Sequence, residues 1–407
     1  MPEPALPPSR LSNSYPWLPW GAVALAVLVI LVATLREAGT DLPQHWTLAL
    51  VSGDAGVAEL IQNLLLFMPL GAALAVCGVK RLPLVASGFA LSLTVEFLQQ
   101  WIPGRDPSVG DIVSNTISTL LGAGVVWSAP HWLSPSVTRA PWMALAATVI
   151  AAGAWLATGW LQAPVYPTGI YYDRWTPDID AWDNYPGHLV AASLGPLPLV
   201  RSPIPGGPAN LAAGQPLSLT VVAGRASSER SPLLIISDDP QRDIVIVGVA
   251  GRSLLVSYYT RAVAYRFERL DLRLRGALAA VAPADTFTVT TRPAAHGRYC
   301  INQACDLGYT MGDGWKLIFF PEGFSPGVLR AINVAWIAGG VLFVGFWGVR
   351  HPATFAALVL AVLALAFGPR LVNLRPTPFG EWLGAAAGIG VGWLCRQIRA
   401  IVLQRPA

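Results

Sequence analysis

Eight long apolar runs constrain this chain more than any other feature. Trp17–Leu35, Leu60–Val79, Leu82–Ile102, Ile112–Trp127 and Trp142–Leu161 come early; Leu329–Val349, Ala353–Phe367 and Gly380–Leu394 come late. A helix that crosses a bilayer needs about 20 mostly apolar residues. Inside hydrocarbon only helices and closed barrels satisfy their own backbone groups. The last two runs are short and rich in Ala and Gly, which makes them the weakest spans. With 54% hydrophobic and 12% charged residues, the chain is too apolar for one soluble domain and too long for one core. The net charge of +4 comes mostly from arginines beside the apolar runs, so it reads as membrane topology, not as nucleic-acid binding. Residues 1–16 are Pro-rich, and no small-residue cleavage site follows the first run closely. The first run is therefore expected to be a retained helix and not a cleaved signal peptide.

The connectors can be set against the tendency of Lys and Arg to stay in the cytoplasm. With the N-terminus and Arg10 inside, Lys80-Arg81, Arg139, Arg350 and the tail with Arg396, Arg399 and Arg405 also fall inside. The loop with Asp41 and Asp54, the stretch "PGRDPSVGD" and everything between spans five and six then fall outside. The expectation is a bacterial cytoplasmic membrane protein with both termini in the cytoplasm: 1–16 a cytoplasmic extension, 17–161 a five-helix membrane domain, 326–395 a three-helix membrane domain, and 396–407 a cytoplasmic tail.

Residues 162–325 read differently. Pro, Gly and Asp punctuate short β-branched runs, "LSLTVVAG", "LLIISDD", "DIVIVGVAG", "SLLVSYYT", "RLDLRL", "DTFTVTT" and "WKLIFF". Strand signals at roughly 8–12-residue spacing predict a two-sheet sandwich. The fold class is thus a polytopic α-helical membrane protein of about eight spans with an inserted, extracytoplasmic all-β sandwich. Cys300 and Cys305 lie in this segment, where a short loop in an oxidising compartment suits a disulfide; the alternative is two half-buried small hydrophobes. Cys77 and Cys395 sit at cytoplasmic helix ends as free thiols. Asp238-Asp239 offers a cation ligand, although a solvated turn is the commoner reason for such a pair.

One polar stretch interrupts the apolar pattern: "EFLQQWIPGRDPSVGDIVSN", Glu96 to Asn115. Gln99 and Gln100 follow Glu96 at i+3 and i+4 on one helix face. Asp111 opens span four and Asn115 shares its face. Ser108 or Asp111 is also a candidate helix cap. Span two carries Gln62 and Asn63 to a similar depth. An ionisable residue below the interface costs about 2.5–3.5 kcal/mol on insertion scales, so it is usually paired or functional. The planar fork of Arg105 suits a carboxylate or phosphate, and it is expected to bridge Glu96, Asp111 or an anionic ligand group. Two readings stay open: a structural knot between helices, and a polar pocket built from Asn63, Glu96, Gln99, Arg105, Asp111 and Asn115.

In these residues the chain resembles the VanZ-like membrane proteins. The matching pieces are "NLLLFMPLG", "EFLQQ", "GRDPSVGDIVSN" and "LLGAG", over roughly residues 20–160. The resemblance implies a multi-pass envelope protein; the namesake is associated with low-level teicoplanin resistance. It carries no established catalytic residues. Ser118 stands where the pattern expects Gly, which puts close helix packing there in question. Residues 162–325 are similar in pattern to the concanavalin-like or laminin-G-like sandwiches of some family members, which implies a carbohydrate or cell-wall binding module without establishing one.

A gapless shift of 270 residues places Asn63 on Asn333, Arg105 on Arg375, Asp111 on Glu381 and Gly122 on Gly392. Parallel three-helix repeats are one way to build membrane folds. Such a repeat gives a second, stripped centre at Arg375 and Glu381, with Ala366 in the place of Glu96 and Ala385 in that of Asn115. Three functions are then weighed. The first is an envelope binder for a lipid headgroup, glycolipid or glycopeptide, its partners being the bilayer and a lipid-linked or glycan ligand. The second is a membrane enzyme with Glu96 as general acid or base. The third is a proton-coupled transporter using Glu96. No His- or Cys-rich metal pattern and no Gly-x-Ser-x-Gly elbow is present, and none of His45, His131, His188, His296 and His351 falls in a span. The balance favours a binder over an enzyme, with no cofactor and no metal.

Overall fold

A computed structural model describes residues 17–37, 39, 46–51, 53–179, 185–200, 203–225, 230–239, 241–293, 297–321 and 323–404. Arg10, Asp41, His45, His296 and Arg405, used above for topology and for the histidine census, lie outside these residues. The eight apolar runs form eight long helices: α1 (Trp17–Thr34), α2 (Gly56–Val76), α3 (Arg81–Gln99), α4 (Val109–Trp127), α5 (Ala140–Gln162), α6 (Pro326–Trp347), α7 (Pro352–Leu371) and α8 (Phe379–Gln404). The first seven are long and apolar enough to cross a membrane; α8 carries Glu381, Arg396 and Arg399 and is the exception. The chain is thus a multi-pass α-helical membrane protein with an inserted all-β domain.

Two compact units divide between Arg139 and Ala140. The division groups α5 with the sandwich and the late helices, whereas the sequence grouped it with the early ones. In the first unit, α2 packs along α4, and α1 and α3 flank that pair. Small residues permit the close approach. A Cβ on Gly71 would overlap the backbone of Thr119, and one on Gly122 the backbone of Met68. Ser118 does not loosen this seam: it is fully buried, and its hydroxyl donates to the Leu64 carbonyl. Pro69 lies inside α2, where its missing N–H costs one intrahelical bond.

The second unit is one continuous apolar core running from α5–α8 into the sandwich. α6 packs along α8, and Gly384, Gly388 and Gly392 of α8 lie against the carbonyls of Val334, Ala338 and Leu342. One six-stranded antiparallel sheet runs β4 (Pro203–Ile204), β1 (Tyr171–Trp175), β6 (Arg230–Asp238), β7 (Asp243–Ala250), β8 (Ser253–Tyr258), β9 (Asp271–Leu274). The other runs β12 (Ala304–Leu307), β11 (Tyr299–Ile301), β10 (Thr286–Pro293), β5 (Leu217–Val222), β2 (His188–Leu194), β3 (Leu197–Leu199). In β5 and β10 buried and less buried residues alternate, the mark of a sheet with one face on the core. β6 is buried on both faces, and its Ile235 forms a small separate cluster with Ile246 of β7 and Ile179.

One sequence expectation changes here. "WKLIFF" is not a strand: Met311–Leu317 is a 3₁₀ helix. Its start is a capping box in which Thr310 N–H donates to Asp313 Oδ2 at 2.7 Å, and this local closure outweighs the β-rich composition of the run. Asp238 is spent within its own turn, accepting from Arg242 N–H and Nε at 2.9 and 2.8 Å. Cys300 and Cys305 form a disulfide across the β11–β12 hairpin, whereas Cys77 and Cys395 are free.

Candidate functional site

The turn Ile102–Ser108 and the ends of α1–α4 assemble a polar layer in the first unit. It forms because the helix starts and stops coincide there. α3 ends at Gln99 and α4 begins at Val109, so the connector folds back over the helix ends. Thr47 N–H donates to Pro107 O at 2.9 Å and Val109 N–H to Thr47 O at 3.0 Å, tying the segment before α2 to the same turn. Gly110 has to be Gly, since a Cβ would press on the backbone of Ala49 and Leu50.

Glu96 is 2% exposed, one turn from the end of α3. Its Oε2 accepts the Ser108 N–H at 2.8 Å, an unpaired donor at the positive end of α4. Ser108 therefore occupies the cap position of α4 without a side-chain cap. Asp111 Oδ1 accepts from Asn63 Nδ2 at 2.7 Å, linking α4 to α2. Asn115 Nδ2 donates to Ser92 Oγ at 3.0 Å, linking α4 to α3. Gln99 Nε2 donates to Thr34 O, 3.1 Å away, at the end of α1. Five of the six expected residues are thus tied to neighbouring elements of one layer.

Arg105 belongs to the layer but does another task than the one expected. It bridges neither Glu96 nor Asp111. Its Nε donates to Arg36 O at 3.0 Å and an Nη to Ala33 O at 3.1 Å. The carbonyls at the end of α1 lack intrahelical partners and carry partial negative charge, so a guanidinium satisfies two of them. Burial, followed by the Arg36 charge, lowers its pKa below the ordinary arginine value, yet arginine stays protonated in proteins. With its fork on carbonyls, Arg105 forms no ion pair with Glu96 or Asp111, and its charge reaches Glu59 and Glu96 only through space. Glu96 and Asp111 form no ion pair among the described residues. Asn115 Oδ1 is buried with no donor to it. The layer therefore holds an excess of acceptors.

The second expected centre comes apart. Glu381, 2% exposed at the start of α8, accepts from the Thr310 hydroxyl and from Gly312 N–H at 3.3 Å. Asp313 Oδ1 accepts from Asn333 Nδ2 at 2.9 Å and from Lys316 Nζ at 2.5 Å, and Asn333 Oδ1 accepts from Trp315 Nε1 at 2.7 Å. Arg375 stands apart from this network, its own N–H donating to Tyr309 O at 2.9 Å. The reason is local: Pro376 and Pro378 hold the approach to α8 extended, so Arg375 and the buried Glu381 do not meet. Sequence reasoning missed Thr310, Asp313, Trp315 and Lys316. The signal was "TMGDGWK", a polar, Gly-rich turn just before the late apolar runs, which a strand assignment for "WKLIFF" concealed.

No cluster of three or more His, Cys, Asp or Glu suited to a metal exists among the described residues. No curated protein and no solved structure gives a significant match to the chain. The family model described as VanZ/LLP1 matches residues 19–130. That stretch holds all six members of the expected polar layer, and this block of the chain is accordingly VanZ-like.

Proposed function

We propose that the protein is a VanZ-like envelope protein of a bacterial cytoplasmic membrane that binds an external ligand at the polar layer of α1–α4. The ligand class is a lipid headgroup, glycolipid or glycopeptide, and binding contributes to resistance against teicoplanin-type glycopeptides. The observation that supports this reading is the acceptor excess. Glu96, Asp111 and Asn115 Oδ1 lie around a turn whose guanidinium is occupied by carbonyls. The group that completes such a layer is a donor, an ammonium or a set of hydroxyls, as an amino sugar or an ethanolamine headgroup carries.

In this reading both termini are cytoplasmic, residues 162–325 are extracytoplasmic, and the sandwich serves as a carbohydrate or cell-wall binding module. The test is glycopeptide susceptibility of a deletion strain complemented with wild type, Glu96→Gln or Asp111→Asn. Loss of resistance at normal membrane levels of the variants supports the reading. If both variants lower only protein yield, the layer is structural. Two outcomes favour the alternatives: a chemically altered lipid present with wild type and absent with Glu96→Gln points to an enzyme, and ligand-dependent proton flux lost in that variant points to a transporter.

A further inference from the structure

A second site lies in the other unit, where the edge of the sandwich meets the start of α6. A cavity of about 300 Å³ opens there. Part of its lining is cationic. Arg273 lies on edge strand β9, Arg275 just beyond it, Lys316 on the 3₁₀ turn and Arg375 before α8. The single acid of the lining, Asp271, is already paired with Arg230, and Lys316 is paired with Asp313. Arg275 and Arg375 form no ion pair among the described residues. Arg375 is nevertheless held in place. Its backbone is fixed by Tyr309 O, and its stem lies over Gly308, where an added Cβ would sit 3.2 Å from Arg375 Cγ and Cδ. Guanidinium groups presented in this way, without a protein anion, are a binding site for phosphate or carboxylate.

The rest of the lining includes a large apolar set. Phe320, Phe324 and Leu329 belong to it, and Leu329 is in the first turn of α6, an apolar helix long enough to cross a membrane. Phe320 and Phe324 of this lining are exposed, as are Phe319 and Val328 next to them in the chain. Aromatic residues gather at the level where a chain enters the bilayer. A cationic wall beside a membrane-entry segment matches a molecule with an anionic head and acyl tails.

We propose that this cavity binds the phosphate-bearing headgroup of an anionic lipid, with the acyl chains running along α6. The site is separate from the layer in α1–α4, and its test does not depend on resistance. The full chain is purified in a neutral detergent and examined by native mass spectrometry with phosphatidylglycerol, with phosphatidylcholine and with glycerol 3-phosphate. Wild type is expected to retain phosphatidylglycerol over phosphatidylcholine. Arg275→Gln with Arg375→Gln is expected to weaken that retention about 10- to 30-fold with an unchanged melting temperature. Arg275→Gln alone, at an exposed position, is expected to show a smaller loss in the same direction and serves if the double variant does not fold. Equal retention of the two lipids, or variants that bind like wild type, would overturn the proposal. Saturable glycerol 3-phosphate binding without a preference between the lipids also overturns it, assigning the cavity to a soluble phosphate.

Discussion

At the scale of single residues, buried polar groups in this protein carry their meaning through what they bond, not through their charge. Asn63 and Asn333 occupy equivalent places in the 270-residue shift, and each donates to a carboxylate, Asp111 in one unit and Asp313 in the other. Asn333 also accepts from Trp315 Nε1. Asn333→Ala leaves a buried indole N–H and a carboxylate oxygen short of partners. Unfolding in detergent followed by intrinsic fluorescence should show a loss of about 1–3 kcal/mol; an unchanged midpoint would contradict the network described. The six residues of the polar layer were legible in the sequence because ionisable and amide groups are conspicuous between apolar runs. Their pairing was not. The sequence reading joined Arg105 to an acid because opposite charges attract, whereas two free carbonyls at the end of α1 outcompete the acids for its fork.

At the scale of elements, glycines set how close the helices come. The seams α2/α4 and α6/α8 follow the same scheme, and the helix starts Gly56, Arg81 and Val109 recur 270, 271 and 270 residues later as Pro326, Pro352 and Phe379. The packing register is not shifted equally. Gly122 lies against Met68, whereas Gly388, one turn before Gly392, lies against Ala338. α3 packs on α4, but α7 packs on α5. The 270-residue shift thus describes the helix pairs better than the triples, a distinction that needs interhelical contacts and cannot be read from one apolar sequence. Gly122→Val and Gly388→Val should each destabilise their unit by about 1–3 kcal/mol through overpacking. Gly124→Val and Gly390→Val, where an added Cβ meets nothing within 4 Å, should leave the melting temperature in place. Equal effects of all four would contradict the close seams. Among the strands, the long β-branched runs were legible, whereas β3, β4, β11 and β12, each of four residues or fewer, carry too little pattern to be seen, and β1 and β2, "YYDRW" and "HLVAASL", were missed because they hold few β-branched residues.

At the scale of the whole molecule, the proposal turns on which side of the membrane each part faces. The Cys300–Cys305 disulfide suits an oxidising compartment, and Cys395 in the second half of α8 is an exposed free thiol. In intact cells a membrane-impermeant maleimide should therefore leave Cys395 unlabelled, and residues 300 and 305 should label only after external reduction. Closing so short a loop is worth about 2 kcal/mol in the chain-entropy account, so Cys300→Ser with Cys305→Ser should lower the melting temperature of the second unit without abolishing its fold. The most direct test of the central claim, a ligand-binding protein with its sandwich outside the cell, is a pair of alkaline phosphatase fusions, one inserted at Gly169 before the sandwich and one after Ala407. The account predicts phosphatase activity at Gly169 and none after Ala407. An inactive fusion at Gly169, with the protein present at normal level in the membrane, would place the sandwich in the cytoplasm and contradict the account.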